Sequence, residues 1–128
     1  METATTKTAQ FKRFKIKKGE KLARHTSFGL GGPAKYFVMA GSPQELVALA
    51  KLAKKNKWRF FVLGGGSNTV FADKGFVGLV VKYDSRRTPA LAGVRLVADA
   101  GRRLAEIITL AIDNGLGGLE YLSGIPGT

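Results

Sequence analysis

Residues 59–68, Arg-Phe-Phe-Val-Leu-Gly-Gly-Gly-Ser-Asn, decide how this chain is expected to fold. The first five residues form a nearly all-apolar run, as expected of a strand buried on both faces of a parallel sheet. Three consecutive glycines then permit backbone conformations that other residues avoid, and they leave no Cβ to block a ligand. Because ligands of α/β sheets bind at the carboxyl ends of strands, this position favours a binding site.

The glycine loop, defined here as residues 64–68, is a candidate for holding a phosphate group. Successive N–H groups of such a loop can point into one concavity and bind an anion. The phosphate would be bound by the backbone amides of the loop, and two of its side chains could add further donors. The residues concerned are Gly64, Gly65, Gly66, Ser67 and Asn68, of which the last two carry the side-chain donors. A tight turn between two strands is the alternative, and it needs only one or two glycines. The loop taken alone leaves both interpretations open.

Two better-known phosphate loops are excluded by their surroundings. A P-loop requires Gly-Lys-Ser or Gly-Lys-Thr, and neither tripeptide occurs in the sequence. Residues 64–69 approximate the Rossmann spacing, but that fingerprint must open a helix, and residues 69–75 are too short and too turn-like. A second glycine-rich segment, residues 29–34, precedes a predicted strand instead of following one.

The segments around the glycine loop alternate between strand and helix patterns. Upstream, residues 36–39 are strand-like, and Ser42-Pro43-Gln44-Glu45 predicts a helix start, because Ser42 and Glu45 can form a capping box around a proline at the first helical position. Downstream, strands are predicted at residues 77–82 and 94–98. A second helix ends at Asn114-Gly115, and one of its faces carries Leu104, Ile107, Ile108, Ala111 and Ile112. The fold class is therefore α/β (α+β), with a βαβ crossover between parallel strands.

The composition limits the remaining possibilities. A chain of 128 residues with 45% apolar residues predicts one globular domain. The absence of cysteine removes disulfides, thiolate metal sites and thiol nucleophiles, and it suits a reducing cytoplasm. The apolar runs are far too short to cross a bilayer, and the first residues lack the apolar core of a signal peptide.

The formal net charge of +12 would attract any polyanion. Much of this charge lies near the start of the chain, at Lys12, Arg13, Lys15, Lys17, Lys18, Lys21 and Arg24. No nucleic-acid recognition motif accompanies it, so residues 1–20 are predicted to be a solvated basic arm. Within this arm, residues 1–10 are predicted to be disordered. Phe11, Phe14 and Ile16 interleave the charges, a pattern that fits one face of an edge strand equally well.

No catalytic constellation is expected within these residues. His25 is the only histidine, and nothing in the sequence around it suggests a metal ligand or a triad, so a structural role is predicted. The few acidic residues form no pair that would suggest general acid–base catalysis. No metal site is predicted either.

Three segments together resemble a known family. These are Arg-His-Thr-Ser-Phe-Gly-Leu-Gly-Gly-Pro-Ala at 24–34, Val-Leu-Gly-Gly-Gly-Ser-Asn at 62–68, and residues 118–128, which end in Gly-Ile-Pro-Gly-Thr. In order and spacing they look like the N-terminal part of the UDP-N-acetylenolpyruvoylglucosamine reductase family, also called UDP-N-acetylmuramate dehydrogenase. The resemblance implies that residues 21–128 are the N-terminal portion of an FAD-binding domain of the vanillyl-alcohol-oxidase/p-cresol-methylhydroxylase type, its first subdomain only.

The resemblance also implies a chemistry. In the family, FAD takes a hydride from NADPH and passes it to the enolpyruvyl group of a nucleotide-sugar substrate, in the cytoplasmic synthesis of bacterial peptidoglycan. The glycine loop would hold one side of the FAD diphosphate. A second cofactor loop, the C-terminal loop of residues 124–128, would begin with Gly124, Ile125, Pro126, Gly127 and Thr128.

The family's catalytic arginine, serine proton donor and glutamate have no counterparts here. We therefore expect an incomplete part of a larger enzyme, with no turnover and no tight hold on FAD by itself. Two other functions are weighed against this one. The chain could belong to another flavin oxidase of the same fold. Such oxidases share a glycine-rich phosphate loop, but we recognise no counterpart in them of the segment at 24–34. It could also be a small basic nucleic-acid-binding protein, which only the net charge supports.

Overall fold

The computed structural model describes residues 4–128, so residues 1–3 lie outside the description. Its strands are β1 (Lys17–Lys21), β2 (Pro33–Ala40), β3 (Phe60–Leu63), β4 (Phe76–Tyr83), β5 (Ala90–Ala92) and β6 (Arg95–Val97). Its α-helices are α1 (Ala4–Phe14), α2 (Pro43–Lys55) and α3 (Leu104–Asp113), with 3₁₀ turns at Leu22–His25 and Glu120–Leu122. The α/β class predicted from the sequence is confirmed.

The main sheet has the strand order β1-β2-β4-β3. Strands β2, β4 and β3 are parallel, and β1 runs antiparallel to β2 at one edge. The predicted βαβ crossover is confirmed, since α2 joins parallel strands β2 and β3. The two strands are not direct neighbours, because β4 lies between them and pairs with both.

Helix α2 begins where the capping box predicts. The Ser42 hydroxyl accepts a hydrogen bond from the Glu45 amide at 3.2 Å, and the Glu45 carboxylate accepts one from the Gly41 amide at 2.8 Å. Pro43 occupies the first helical turn. These bonds satisfy two amides that would otherwise lack partners at this end of the helix, and they hold the chain close to the end of β2.

The core has two layers, one on each face of the sheet. Helix α2 covers one face, where its residues Leu49, Leu52 and Ala53 pack with buried side chains of β2 and β4. The other face buries Leu22, Ala34, Phe37, Leu63, Phe71 and Val80. Phe71 belongs to the segment that follows the glycine loop, so this second layer anchors the loop on the sheet.

Strand β3 is more exposed than its sequence predicts. It is an edge strand, paired only with β4, and Val62 is 43% exposed. An apolar run was expected to be buried on both faces. The expectation fails because α2 covers β2 and β4 and leaves Val62 at the margin of the sheet.

The N-terminal segment also differs from the prediction. Disorder is predicted for residues 1–10, of which residues 1–3 lie outside the described part of the chain, and an edge-strand face is the alternative for Phe11, Phe14 and Ile16. Helix α1 instead begins at Ala4 and includes both phenylalanines. The Phe11 ring packs edge-on against Tyr36 at 5.1 Å and Trp58 at 6.0 Å between centroids. Burying this aromatic surface offsets the entropy lost when the segment becomes ordered.

A polar cluster attaches the small β5–β6 hairpin and the start of α3 to the end of β4. The Asp99 carboxylate accepts hydrogen bonds from the Ser85 hydroxyl at 2.6 Å and the Tyr83 hydroxyl at 3.1 Å. The Arg102 side chain contacts both the Ser85 carbonyl and Glu106. The hydrogen bond from Ser85 is the main cause that holds the pKa of Asp99 below its usual range, although burial opposes the shift.

Replacing Asp99 with asparagine is expected to make stability less sensitive to acid. The folded-state pKa of Asp99 is lowered, so its contribution is present above the unfolded-state pKa and is lost as pH falls through the folded-state pKa. Urea unfolding should therefore show Asp99→Asn to be less stable than the natural chain at pH 7. The difference should shrink below about pH 4. Asp113→Asn, at an exposed carboxylate at the end of α3, is the control; an equal pH response in both variants would contradict the prediction.

Candidate functional site

The glycine loop leaves the sheet at the carboxyl end of β3, at the same edge where the parallel strands β2 and β4 end. The register pairs Leu63 with Lys82, one residue before the end of β4. This is the edge at which α/β sheets bind ligands. The loop therefore has the topological position that the sequence analysis predicts for it.

Most backbone donors of the glycine loop have no partner within residues 4–128. The Gly65 amide donates to the Thr128 hydroxyl at 3.2 Å. No hydrogen bond in this part of the chain uses the amides of Gly66, Ser67 or Asn68. These amides take no part in sheet pairing, because the ladder between β3 and β4 ends at Leu63. Three successive donors are thus available to an anion.

Gly66 is required by the packing of the chain itself. It is buried and has a φ of +74°, a region that favours glycine. A Cβ at this position would overlap the carbonyl oxygen of His25 and lie 3.0 Å from the Cα of Thr26. The Gly66 carbonyl accepts a hydrogen bond from the Ser27 amide at 2.9 Å. The carbonyl of Gly66 therefore ties the loop to residues 25–27, while the amides of Gly66, Ser67 and Asn68 have no hydrogen-bond partner among the described residues.

The glycine-rich segment at 29–34, excluded above as a phosphate loop, packs against the segment that follows the glycine loop. The Gly32 amide donates to the Ala72 carbonyl at 3.0 Å. A Cβ on Gly31 would lie 2.9 Å from the Cβ of Phe71, and a Cβ on Gly32 would overlap the backbone around Asp73. Its glycines permit two backbone segments to pack directly on each other, a role that sequence reasoning did not identify.

The C-terminal loop lies beside the glycine loop, although the two are about 60 residues apart in the sequence. Thr128 contacts Gly64 and Gly65, and Gly127 faces the Ser67 hydroxyl. The Gly127 carbonyl also accepts a hydrogen bond from the Leu104 amide at 3.0 Å, at the start of α3. The structure thus brings together the ends of the two predicted cofactor segments. Among the described residues, no hydrogen bond joins Gly124, Ile125 or Pro126 to the glycine loop.

His25 is held by structural contacts. Its ring stacks on Phe37 with centroids 4.3 Å apart, and its Nε2 lies 3.0 Å from a carboxylate oxygen of Glu20. The hydrogen bond with His25 is the largest cause that lowers the pKa of the Glu20 carboxyl. These contacts fix the position of the His25 backbone, whose carbonyl meets Gly66. Glu20 and Phe37 therefore help to position the loop, and only the folded chain shows this.

No group of three or more histidine, aspartate or glutamate side chains among residues 4–128 could hold a metal ion. In the same residues, no helix is both long enough and apolar enough to span a membrane.

The chain matches known proteins over most of its length. Residues 34–128 match the family model described as an FAD binding domain. UDP-N-acetylenolpyruvoylglucosamine reductase from Caldanaerobacter subterraneus subsp. tengcongensis is 41% identical over 114 residues, which is 89% of this chain and 38% of that protein. The protein of the same name from Thermobifida fusca is 42% identical over 110 residues, or 83% of this chain and 31% of its own length.

A solved structure agrees with these matches. The crystal structure of UDP-N-acetylenolpyruvylglucosamine reductase from Thermus caldophilus superposes with a TM-score of 0.61 at 27% identity. It covers 88% of this chain, which in turn covers 38% of that chain. The chain therefore spans less than two-fifths of the length of these relatives.

Proposed function

Because the chain belongs to the FAD binding domain family, we propose that it forms part of the flavin site of a UDP-N-acetylenolpyruvoylglucosamine reductase. Residues 21–128 would be the N-terminal portion of the FAD-binding domain. The observation that carries the proposal is the set of unpartnered amides at Gly66, Ser67 and Asn68, at the carboxyl end of a parallel strand. The neighbouring C-terminal loop supports it.

The glycine loop would bind the diphosphate of FAD through these amides. Hydrogen bonds to a charged group contribute about 1.5–3 kcal/mol each, so three of them would supply much of the affinity for a diphosphate. The side chains of Ser67 and Asn68 can add donors, and the C-terminal loop would approach the same cofactor from the side of Thr128. The net positive charge of the chain, +12, also favours an anionic cofactor.

The proposed reaction is the one implied by the family. Bound FAD would supply hydride transfer, accepting hydride from NADPH and delivering it to the enolpyruvyl group of the nucleotide-sugar substrate. The product would be UDP-N-acetylmuramate for peptidoglycan, made in the bacterial cytoplasm. The residues of this chain would bind and orient the cofactor. None of them is assigned a proton-transfer role, so the 128-residue chain alone is expected to show no turnover. Because residues 21–128 would supply only the N-terminal portion of the FAD-binding domain, the chain is also expected to lose FAD during purification.

Nuclear magnetic resonance of the ¹⁵N-labelled chain tests the cofactor site directly. Addition of FAD is expected to shift the amide signals of residues 64–68, while riboflavin, which carries no phosphate, should leave them unchanged. Weak binding suffices for this measurement, because fast exchange still reports which amides move. Equal shifts with riboflavin and FAD, or unmoved amides in the glycine loop at high FAD concentration, would refute the assignment. A purified chain saturated with FAD would contradict the expectation of weak retention.

A further inference from the structure

A concave surface lies at the same edge of the sheet but away from the glycine loop. It encloses about 570 Å³ and is bordered by the ends of β2 and β4, the junction of α1 with β1, and the start of α2. Its lining includes Arg13, Lys15, Lys17, Phe37, Met39 and Arg86. None of the ten residues predicted to bind the flavin cofactor lines this cavity. We call it the basic cavity.

The fold opens this cavity because β1 is shorter than β2. Their pairing begins at Lys17 and Phe37, so the following residues of β2 have no strand on that side. Before Lys17 the chain turns away into α1 through Lys15, which has a φ of +54°. The Lys15 and Ile16 amides donate to carbonyls of α1, at Lys12 and Phe11. These two hydrogen bonds end the helix and fix the backbone of Lys15 beside the cavity.

Four cationic side chains surround the basic cavity, at Arg13, Lys15, Lys17 and Arg86. Among the described residues, none of the four lies within ion-pairing distance of a carboxylate. Two carboxylates also line the cavity, those of Glu45 and Asp84. The Glu45 carboxylate already accepts a hydrogen bond from the Gly41 amide. The cavity therefore has an excess of cations, and a concave surface concentrates their field.

The shape of the basic cavity favours a small molecule over a polymer. Its volume lies within the range of about 300–1,000 Å³ typical of small-ligand sites. Met39, which is 55% exposed, and the half-buried Phe14 contribute apolar surface that suits an organic body. Arginine and lysine at the rim suit a phosphate, since both bind its oxygens by charge-assisted hydrogen bonds.

We propose that the basic cavity binds a phosphorylated small molecule of nucleotide size, with its phosphates among Arg13, Lys15, Lys17 and Arg86. This site is separate from the proposed flavin site and does not depend on it. His25 connects the two sites, since it lines the cavity and its carbonyl touches Gly66.

Titration with ADP, inorganic phosphate and adenosine, followed by ¹⁵N–¹H spectra of the full chain, locates the site. ADP is expected to shift the amides of Lys15, Met39, Gly41 and Arg86 and to bind most tightly. Inorganic phosphate should shift the same signals more weakly, and adenosine should leave them unmoved. Inorganic phosphate binding as tightly as ADP would overturn the organic part of the proposal, and adenosine binding as tightly would overturn the role of the phosphates.

A matched pair of lysines isolates the contribution of one cation. Lys15 and Lys57 are both exposed, both have a φ of +54° and both follow a helix end of the same kind. Only Lys15 lines the basic cavity. Asparagine tolerates this backbone region, so Lys15→Asn and Lys57→Asn remove the same charge with similar effects on the backbone. ADP affinity is expected to fall about fivefold in Lys15→Asn and to be unchanged in Lys57→Asn. Arg86→Gln should weaken ADP similarly.

Three results would overturn the proposal. Equal losses in Lys15→Asn and Lys57→Asn would show attraction by net charge alone. Shifts by ADP that are confined to residues 64–68, or displacement of ADP from the cavity amides by FAD, would show that the basic cavity is not a separate nucleotide site. An RNA oligonucleotide that displaces ADP and is weakened equally by both variants would indicate a nucleic-acid surface. Failure of FAD to shift the glycine loop would leave these results unaffected, so the two proposals can fail independently.

Discussion

Gly66→Ala is expected to destabilise the chain by about 3–5 kcal/mol and to abolish the FAD-induced shifts of the glycine loop. The φ of +74° alone costs an alanine about 1–2 kcal/mol. The new Cβ would also overlap the His25 carbonyl oxygen, and this contact is between two backbones, so no side-chain rotation relieves it. The loop would have to move away from residues 25–27, which breaks the hydrogen bond between Ser27 and Gly66.

Gly65→Ala is the matched control for this prediction. Gly65 is the preceding residue in the same loop, but it is exposed and does not have a positive φ. A Cβ there would lie 3.1 Å from the Cγ2 atom of Thr128, a side-chain methyl group that can rotate. Urea unfolding should give a loss of under about 1 kcal/mol for Gly65→Ala. Equal destabilisation by both variants would mean that the contact between Gly66 and residues 25–27 is not what requires glycine.

Gly75→Ala is expected to be nearly as damaging, with a loss of about 3 kcal/mol or more. Gly75 precedes β4 and has a φ of +77°, and a Cβ there would overlap the carbonyl of Pro33. This contact ties the end of the segment after the glycine loop to the start of β2. Its loss should therefore free residues 69–75 as well as lower global stability, which faster amide hydrogen exchange in these residues would reveal.

Gly93→Ala separates backbone strain from close packing. Gly93 has a φ of +59° in the turn between β5 and β6, and a Cβ there would meet nothing within 4 Å. Gly93→Ala should therefore lower the free energy of unfolding only by the cost of the positive φ, about 1–2 kcal/mol. In thermal unfolding, the midpoint temperature of Gly75→Ala should be clearly lower than that of Gly93→Ala. Coincident transitions would show that the positive φ, and not the approach of Pro33, determines the need for glycine.

Some elements of the fold could be predicted from local sequence because local interactions specify them. The start of α2 depends on Ser42, Pro43 and Glu45, which act on each other within one turn. The end of α3 at Asn114-Gly115 follows the same rule. The crossover between parallel strands also follows from sequence, since a strand, a helix and a strand in close succession allow few other arrangements.

Other features escaped prediction because they depend on what the rest of the chain places nearby. Phe11 lies in a segment whose basic residues suggest a solvated arm, yet Tyr36 and Trp58 provide an aromatic surface that it covers. Val62 belongs to an apolar run but is exposed, because the strand order places β3 at the edge. The contact partners of His25 could not be inferred from its neighbours in sequence.

The sequence by itself determined that a triple glycine follows an apolar strand at the ligand-binding edge of an α/β sheet. It also determined the family, because the order and spacing of three motifs are properties of the chain alone. Only the tertiary structure decided that the segment at 24–34 holds the glycine loop by its carbonyl side, that Thr128 reaches Gly65, and that a basic cavity lies beside β2. The physical reason is that local propensity and capping act within a few residues, whereas a backbone contact or a cavity exists only where distant segments meet.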